Sequence, residues 1–308
     1  MADVEPLVTE GVAGLDLPLG RRVELPGRGT TFVRDVPGPT PDAPVVVLLH
    51  GWFASGGLNW HQAFRPLSQH FRVIAPDLRG HGRGIKAWRR FRLADCADDV
   101  AALLALMEVG PAIVVGYSMG GPVGQLLWRR HPDQVEGMVM AATSASFIPG
   151  LQQRLVFAGA MAAAAGGTRT GQMLTRVPSW AQRYVPFRST GRPSSLQRWA
   201  AQEFRRHDLR MVLEAGNSIA AFSSRRWIDE VDVPTTVVVT TKDRAVNPTE
   251  QVRLALAIPD AEIQRYAEGH VSPVLDSFGP AMTDACLAVS ERIGHGSSTG
   301  PVRRLRSV

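Results

Sequence analysis

Short, continuous apolar runs alternate with amphipathic stretches along most of the chain. Residues 45–49 and 112–115 form such runs, and further segments that are predicted as strands occupy residues 71–75, 135–141, 235–241 and 262–267. Continuous apolar runs are typical of parallel strands that are buried on both faces. Helical periodicity follows near residues 60–69 and over 94–109, 120–130, 248–257 and 277–293. The alternation predicts an α/β fold, with a parallel sheet covered by helices on both faces.

The pattern is interrupted once, between residues 147 and 228, where helix-like segments lie between glycines and prolines and no strand is predicted. At the other end of the chain, residues 22–25 and 31–36 flank a Pro-Gly turn and predict a hairpin. We therefore expect an α/β core of residues 20–146 and 229–293, a helical cap of residues 147–228, and a disordered basic tail of residues 294–308.

The composition is that of a folded globular protein: the 308 residues are 44% hydrophobic and 20% charged. Cys96 and Cys286 are far apart and in no CxxC pattern, which argues against a disulfide scaffold or a zinc module. The longest weakly charged apolar stretch, residues 155–167, is too short to cross a bilayer. The acidic first residues lack the apolar core of a signal peptide. We expect a cytoplasmic protein.

Positive charge is concentrated in the predicted cap. Residues 151–228 contain 12 Arg, no Lys and the acids Glu203, Asp208 and Glu214, for a net charge of +9 in a chain whose net charge is +6. A solvated helical face explains this excess most simply. An anionic membrane surface or a substrate with an anionic head is the alternative. No nucleic-acid-binding motif is present, so we expect no nucleic-acid partner.

The most informative segment connects the predicted strand 112–115 to the predicted helix 120–130. It reads Gly116-Tyr117-Ser118-Met119-Gly120-Gly121, which fits G-x-S-x-G in the strand–turn–helix context that this motif requires. The turn at the serine is so sharp that side chains two residues before and after it would collide, and Gly116 and Gly120 occupy those positions. The helix behind Ser118 offers backbone N–H groups to a developing oxyanion.

With this motif the chain resembles the α/β-hydrolase family, in particular its capped, serine esterase- or lipase-like members, from about residue 20 to 293. His50-Gly51-Trp52 is similar to the family's oxyanion-loop motif, and residues 76–82 resemble its D-x-R-G-H-G loop. The resemblance implies a mostly parallel, eight-stranded sheet. It also implies that the backbone N–H groups of Trp52 and Met119 form an oxyanion hole.

The family's chain order is nucleophile, acid, histidine. Asp243 follows the late strand 235–241, and the segment after the sixth strand, residues 142–146, contains no competing carboxylate. His270 follows the last strand, 262–267. His50 and His81 match structural positions in the family's loops. The remaining histidines are expected on the surface or at caps: His61, His70, His131, His207 and His295.

These residues predict a Ser118–Asp243–His270 triad that hydrolyses small-molecule carboxylic esters with an apolar acyl group through an acyl-enzyme. A serine at the elbow argues against the aspartate chemistry of dehalogenases and epoxide hydrolases, and only Tyr184 among the tyrosines lies in the cap. The same triad also serves C–C bond hydrolysis, perhydrolysis of the cofactor-free haloperoxidase type, or acyl transfer. A non-catalytic binding module is a remote alternative. No cofactor or metal is expected, and the sequence indicates no oligomeric state.

Overall fold

The computed structural model describes residues 9–12, 15–148 and 195–296, and its central feature is an eight-stranded sheet. In chain order the strands are β1 (Thr9–Val12), β2 (Leu15–Pro18), β3 (Gly20–Leu25), β4 (Gly29–Val36), β5 (Val45–Leu49), β6 (Arg72–Pro76), β7 (Ala112–Tyr117), β8 (Val135–Ala141), β9 (Thr235–Thr240) and β10 (Glu262–Tyr266). β1 and β2 form a separate two-stranded hairpin.

The sheet is mostly parallel, with the strand order β10-β9-β8-β7-β5-β6-β4-β3. Only β4 runs against its neighbours β3 and β6; the other five pairings are parallel. Every residue of β7 and β9 is buried, as expected for strands covered on both faces. The predicted α/β-hydrolase fold with a mostly parallel eight-stranded sheet is confirmed.

The described helices are α1 (Gly56–Trp60), α2 (Phe64–Ser68), α3 (Leu93–Leu106), α4 (Gly120–Arg130), α5 (Ser195–Arg205), α6 (Leu209–Ala221), α7 (Pro248–Ala257) and α8 (Phe278–Gly296). Short 3-10 turns occupy Pro132–Gln134, Ile228–Glu230 and Ser272–Val274. α3, α4 and α7 cover one face of the sheet, and α1, α2 and α8 cover the other. None of the helices in the described ranges is long and apolar enough to span a bilayer.

One predicted helix is different in the structure. The stretch 60–69 is not a single helix, because α1 ends at Trp60 and α2 begins at Phe64. Pro66 is the physical reason, since its ring would collide with the carbonyl of Gln62 in a continuous helix. Pro66 is instead accommodated in the first turn of α2.

The predicted cap is described only in its second part, where α5 and α6 lie. Residues 149–194, and with them Tyr184, lie outside the described residues, as does the predicted tail from residue 297 onward. Helix α8 continues to Gly296, three residues beyond the predicted helix end. At the other end, Leu17 is fully buried, so side chains of the core begin before residue 20.

Candidate active site

Ser118 lies at the tip of a sharp turn between β7 and α4, with a left-handed backbone φ of 52°. Such a conformation is strained for a residue other than glycine. Three hydrogen bonds hold it: the Ser118 N–H donates to Ala141, and its carbonyl accepts from Gly121 N–H and from the Thr143 hydroxyl, at 3.0, 3.0 and 2.9 Å. The turn leaves the serine side chain at the carboxyl edge of the sheet.

The glycines around Ser118 have no room for a side chain. A Cβ at Gly116 would lie 2.6 Å from the carbonyl oxygen of Gly120, and a Cβ at Gly120 would collide with the carbonyl of Leu49. Gly121 has the same restriction, because a Cβ there would collide with the Thr143 side chain. The close packing of the elbow therefore depends on three glycines, of which the G-x-S-x-G motif indicates two, Gly116 and Gly120.

The loops after β9 and β10 bring Asp243 and His270 to Ser118. His270 Nε2 lies 3.0 Å from Ser118 Oγ, and His270 Nδ1 lies 2.8 Å from Asp243 Oδ2. A carboxylate can only accept, so Nδ1 carries the proton and Nε2 is free to accept from the serine hydroxyl. This is the relationship that a nucleophile, its general base and an orienting carboxylate require.

Asp243 is held rigidly in the charged form. Its Oδ1 accepts from the N–H groups of Ala245 and Val246 at 2.8 and 2.9 Å, and its Oδ2 accepts from the Thr240 hydroxyl at 2.8 Å. Burial opposes ionisation, but these bonds and the one to His270 together lower the pKa of Asp243 below its ordinary value. Asp243 is therefore negatively charged at neutral pH and able to stabilise a positive imidazole.

A tight turn at residues 51–54 lies beside the serine and includes Trp52. A Cβ placed on Gly51 would lie 3.4 Å from Ser118 Cβ, which shows how closely this turn approaches the elbow. The turn is fixed by the Gly51 N–H, which donates to Asn59 Oδ1 at 3.0 Å, and by the positive φ of Phe53. The two backbone amides that the resemblance nominates for an oxyanion hole, Trp52 and Met119, thus belong to adjacent segments.

His50 connects this turn to the next loop. Its Nδ1 lies 2.8 Å from the carbonyl of Gly51, and its Nε2 accepts from the N–H of Leu78 at 2.9 Å. Complete burial lowers the pKa of His50 to about 3, so the ring is neutral at physiological pH. His50 therefore serves as a structural bridge between two loops.

The second part of the predicted cap lies over the same turn. The Trp52 indole N–H donates to the carbonyl of Val212 in α6 at 2.8 Å. His207, just before α6, accepts from the N–H of Gly82 at 2.7 Å through Nδ1, and its Nε2 lies 3.2 Å from the carbonyl of Phe53. His207 is half-buried and joins two loops, whereas the sequence places it among surface or capping histidines.

Two residues that support the triad, Tyr117 and Gln251, were not identified from the sequence motifs. The Tyr117 hydroxyl donates to the backbone carbonyl of His270 at 2.8 Å, and Gln251 packs its amide against Thr240 and Asp243. Tyr117 occupies an unspecified position of G-x-S-x-G, and Gln251 lies on α7, eight residues after Asp243. Neither carries a local pattern that could have revealed its role.

Metal binding is not indicated by the side chains that the structure describes, since no three His, Cys, Asp or Glu residues among them come together as ligands. Three neighbouring histidines, His50, His81 and His207, have ring centroids 5.4 and 5.5 Å apart. Their nitrogens are used largely in bonds to backbone groups, which fits a structural role in the loops.

Comparisons with known proteins give matches over most of the chain. Residues 44–276 match the family model described as α/β hydrolase fold. The chain is 30% identical over 236 residues to a pimeloyl-[acyl-carrier protein] methyl ester esterase of Chromobacterium violaceum, covering 75% of this chain and 89% of that protein. A bifunctional esterase/perhydrolase of Acinetobacter calcoaceticus is 40% identical over 93 residues, which is 30% of this chain and 33% of that protein.

Among solved structures, the enol-lactonase of Burkholderia xenovorans superimposes with a TM-score of 0.67 at 25% identity. The superposition covers 87% of this chain and all of the enol-lactonase chain. The family match over residues 44–276 spans the elbow and the two loops that carry Asp243 and His270.

Proposed function

The chain belongs to the α/β hydrolase fold family, and from this premise we propose that it is a serine hydrolase that cleaves carboxylic esters with an apolar acyl group. The observation that carries the proposal is the chain of contacts from Ser118 to His270 to Asp243, at 3.0 and 2.8 Å. The relatives named esterase and the enol-lactonase structure support ester bonds as the class of substrate.

The proposed reaction has two steps. His270 Nε2 takes the proton of Ser118 as Oγ attacks the ester carbonyl, and the alcohol leaves with the proton that His270 returns. Water, activated by His270 in the same way, then hydrolyses the acyl-enzyme and releases the acid. Asp243 orients His270 and stabilises its charged form, while the backbone N–H groups of Trp52 and Met119 hold the oxyanion.

Apolar side chains of the elbow and of α6 support an apolar acyl group. Met119 on the elbow and Ile219 on α6 belong to one cluster of packed apolar residues, and Phe147 and Phe222 pack against it while partly buried. We propose that residues 147–228 act as a cap, since α6 bonds directly to the turn of Trp52.

The experiment that tests the proposal measures hydrolysis of p-nitrophenyl esters from two to sixteen carbons, with Ser118→Ala as the matched control. We expect turnover by the wild type, a chain-length optimum above four carbons, and loss of activity in Ser118→Ala of about 10⁴-fold or more. A fluorophosphonate should label wild-type protein at Ser118. Labelling without any ester turnover would redirect the assignment to C–C hydrolysis or acyl transfer. Absence of both would leave a non-catalytic binding module.

Perhydrolysis is a second candidate, favoured by the similarity to the esterase/perhydrolase of Acinetobacter calcoaceticus. In that reaction hydrogen peroxide replaces water as the acceptor of the acyl group and yields a peracid. We expect the ratio of peracid to acid to rise in proportion to peroxide if the acyl-enzyme is shared. A ratio that stays at zero at high peroxide would exclude this activity while leaving ester hydrolysis intact.

A further inference from the structure

A second surface, separate from the catalytic residues, combines positive charge with exposed apolar side chains. Between Asp77 and Asp95 the chain contains no acid, and residues 82–92, here called the basic loop, carry Arg83, Lys86, Arg89, Arg90 and Arg92. Trp88 lies in the middle of this loop and is 84% exposed. A tryptophan this exposed is unusual, because its large apolar ring normally finds a partner.

The first part of the basic loop lines an open cleft of about 590 Å³. Its walls are Arg22, Thr30, Gly82, Arg83, Gly84, Lys86 and Arg206, so no carboxylate is among its described lining residues. Glu203 lies behind the cleft, fully buried, and contacts Arg83 and Arg206. Arg83 Nη1 is buried and has no hydrogen-bond partner among the described residues. Cationic side chains therefore outnumber anionic ones around the cleft.

Trp88 is exposed because hydrogen bonds to α6 fix the backbone on both sides of it. On one side, the Ala87 carbonyl accepts a hydrogen bond from Arg210 of α6. On the other side, the Phe91 N–H donates to Glu214 at 2.8 Å and the Phe91 carbonyl accepts from Ser218 at 3.1 Å. Both ends are thus fixed to α6, and Trp88 is held between them in the solvent.

Further apolar side chains are exposed on the cap helices next to the loop. Leu209, adjacent to Arg210, is 56% exposed, and Phe204, two residues before Arg206 of the cleft, is 45% exposed. Isolated exposed apolar residues need no explanation, but here they occur together with a basic loop and a basic cleft. Protein surfaces that bind the headgroup layer of anionic membranes typically combine tryptophan and leucine with surrounding lysine and arginine.

We propose that the basic loop, with Trp88 at its tip and the adjoining cleft, docks this protein on an anionic lipid surface. Trp88 and Leu209 would enter the interface between headgroups and acyl chains, while Lys86, Arg89 and Arg90 contact lipid phosphates. A nucleic-acid strand would use the cations and the aromatic ring but leave Leu209 and Phe204 in water, so lipid fits the surface better. The proposal does not depend on the chemistry of Ser118, and it places most of the cationic contacts on a loop that precedes the arginine-rich insertion, with Arg206 and Leu209 of the insertion beside it.

The test is co-sedimentation of the full chain with phosphatidylcholine vesicles that contain either no phosphatidylglycerol or one-third phosphatidylglycerol. We expect binding to the anionic vesicles alone, and its loss at high salt. The triple variant Lys86→Gln/Arg89→Gln/Arg90→Gln should bind roughly a hundredfold more weakly, since each cation near the surface contributes about fivefold. Trp88→Ala should reduce binding and abolish the blue shift of tryptophan fluorescence that lipid induces.

Matched controls separate this surface from total charge and total hydrophobicity. Arg129→Gln/Arg253→Gln/Arg265→Gln removes the same charge elsewhere, and Leu256→Ala removes another side chain that is 77% exposed. Both controls should bind vesicles like the wild type, and hydrolysis of a soluble ester should be unchanged in all variants.

Equal losses of vesicle binding in the two triple variants would overturn the proposal. So would wild-type protein that ignores anionic vesicles, or that binds a single-stranded oligonucleotide through this loop in preference to lipid. Binding of free glycerol phosphate without any binding to vesicles would also overturn it and would indicate a site for a small anion.

Discussion

At the scale of single residues, Ser118 combines a strained backbone with a fully arranged set of partners. Its φ of 52° costs about 1–3 kcal/mol. The compensation comes from bonds to Ala141, Gly121 and Thr143, which fix the turn from both sides. Because the turn is fixed, Oγ faces His270 without any rearrangement, and Asp243 in turn fixes His270.

Asp243→Asn tests the orienting role of the carboxylate. The amide oxygen can still accept from the N–H groups of Ala245 and Val246, and the NH2 group in the place of Oδ2 can donate to the Thr240 hydroxyl, so we expect the fold to persist. It can no longer hold the proton on His270 Nδ1, and kcat should fall about 10³–10⁴-fold with little change in KM. Steady-state kinetics on a p-nitrophenyl ester measure this. A decrease below tenfold would identify another residue as the acid.

At the scale of elements, the site depends on two close approaches. The first joins α4 to β5 and β7 at the elbow, where Gly116, Gly120 and Gly121 allow backbone contact. The second joins the turn of Trp52 to α6 through one indole hydrogen bond. Strand–turn–helix geometry thus positions the serine, while a helix of the predicted cap positions the turn that faces it.

Gly120→Ala should disrupt the first of these approaches. The new methyl group would collide with the carbonyl of Leu49, a backbone atom that cannot move aside, so we expect a loss of about 3 kcal/mol or more in the free energy of unfolding. Gly110→Ala is the matched control, because nothing lies within 4 Å of a Cβ there. Urea unfolding measures both variants. Similar midpoints for the two would contradict the packing argument.

Trp52→Phe tests the link to α6. Phenylalanine keeps the ring but lacks the N–H, so the variant should lose about 1 kcal/mol of stability. If the bond also positions the turn, kcat should fall about tenfold while KM stays within twofold. Trp88→Phe, at an exposed position, serves as the control and should leave both constants unchanged. A stability loss without any change in kcat would limit the bond to a structural role.

At the scale of the whole molecule, one sheet edge collects loops from strands that are distant in sequence. Buried polar bridges hold these loops together, among them His50 between the turn at residue 51 and Leu78, and the bidentate pair of Arg79 and Asp99. Buried neutral histidines of this kind make global stability depend on pH.

His50→Gln tests this dependence. In the folded protein the pKa of His50 is lowered to about 3, against 6.5 in the unfolded chain. Between these values the unfolded chain binds more protons, so the contribution is fully present above pH 6.5 and is lost as pH falls toward 3. At pH 5 the loss amounts to about 2 kcal/mol relative to pH 7.5. Urea unfolding at both pH values should show a smaller difference for His50→Gln than for wild type. Equal differences would exclude His50 as the source.

The amino-acid sequence alone was enough to predict the alternation of strands and helices, the elbow around Ser118, and the positions of Asp243 and His270 after late strands. These features are local, because neighbouring residues determine them. The residue pattern of a short segment reflects burial on both faces, helical periodicity and the steric demands of a sharp turn. The mostly parallel, eight-stranded sheet was implied by the family resemblance and is confirmed by the structure.

The contacts between these segments could be identified only from the three-dimensional structure. The bond between Tyr117 and His270 spans 153 residues and that between Trp52 and Val212 spans 160, and neither leaves a pattern in the adjacent sequence. The same holds for the basic loop, whose charge is visible in the chain but whose exposure depends on anchors in α6. Contacts of this kind arise from the way the sheet and helices bring distant segments together, so hydrophobic periodicity alone cannot specify them.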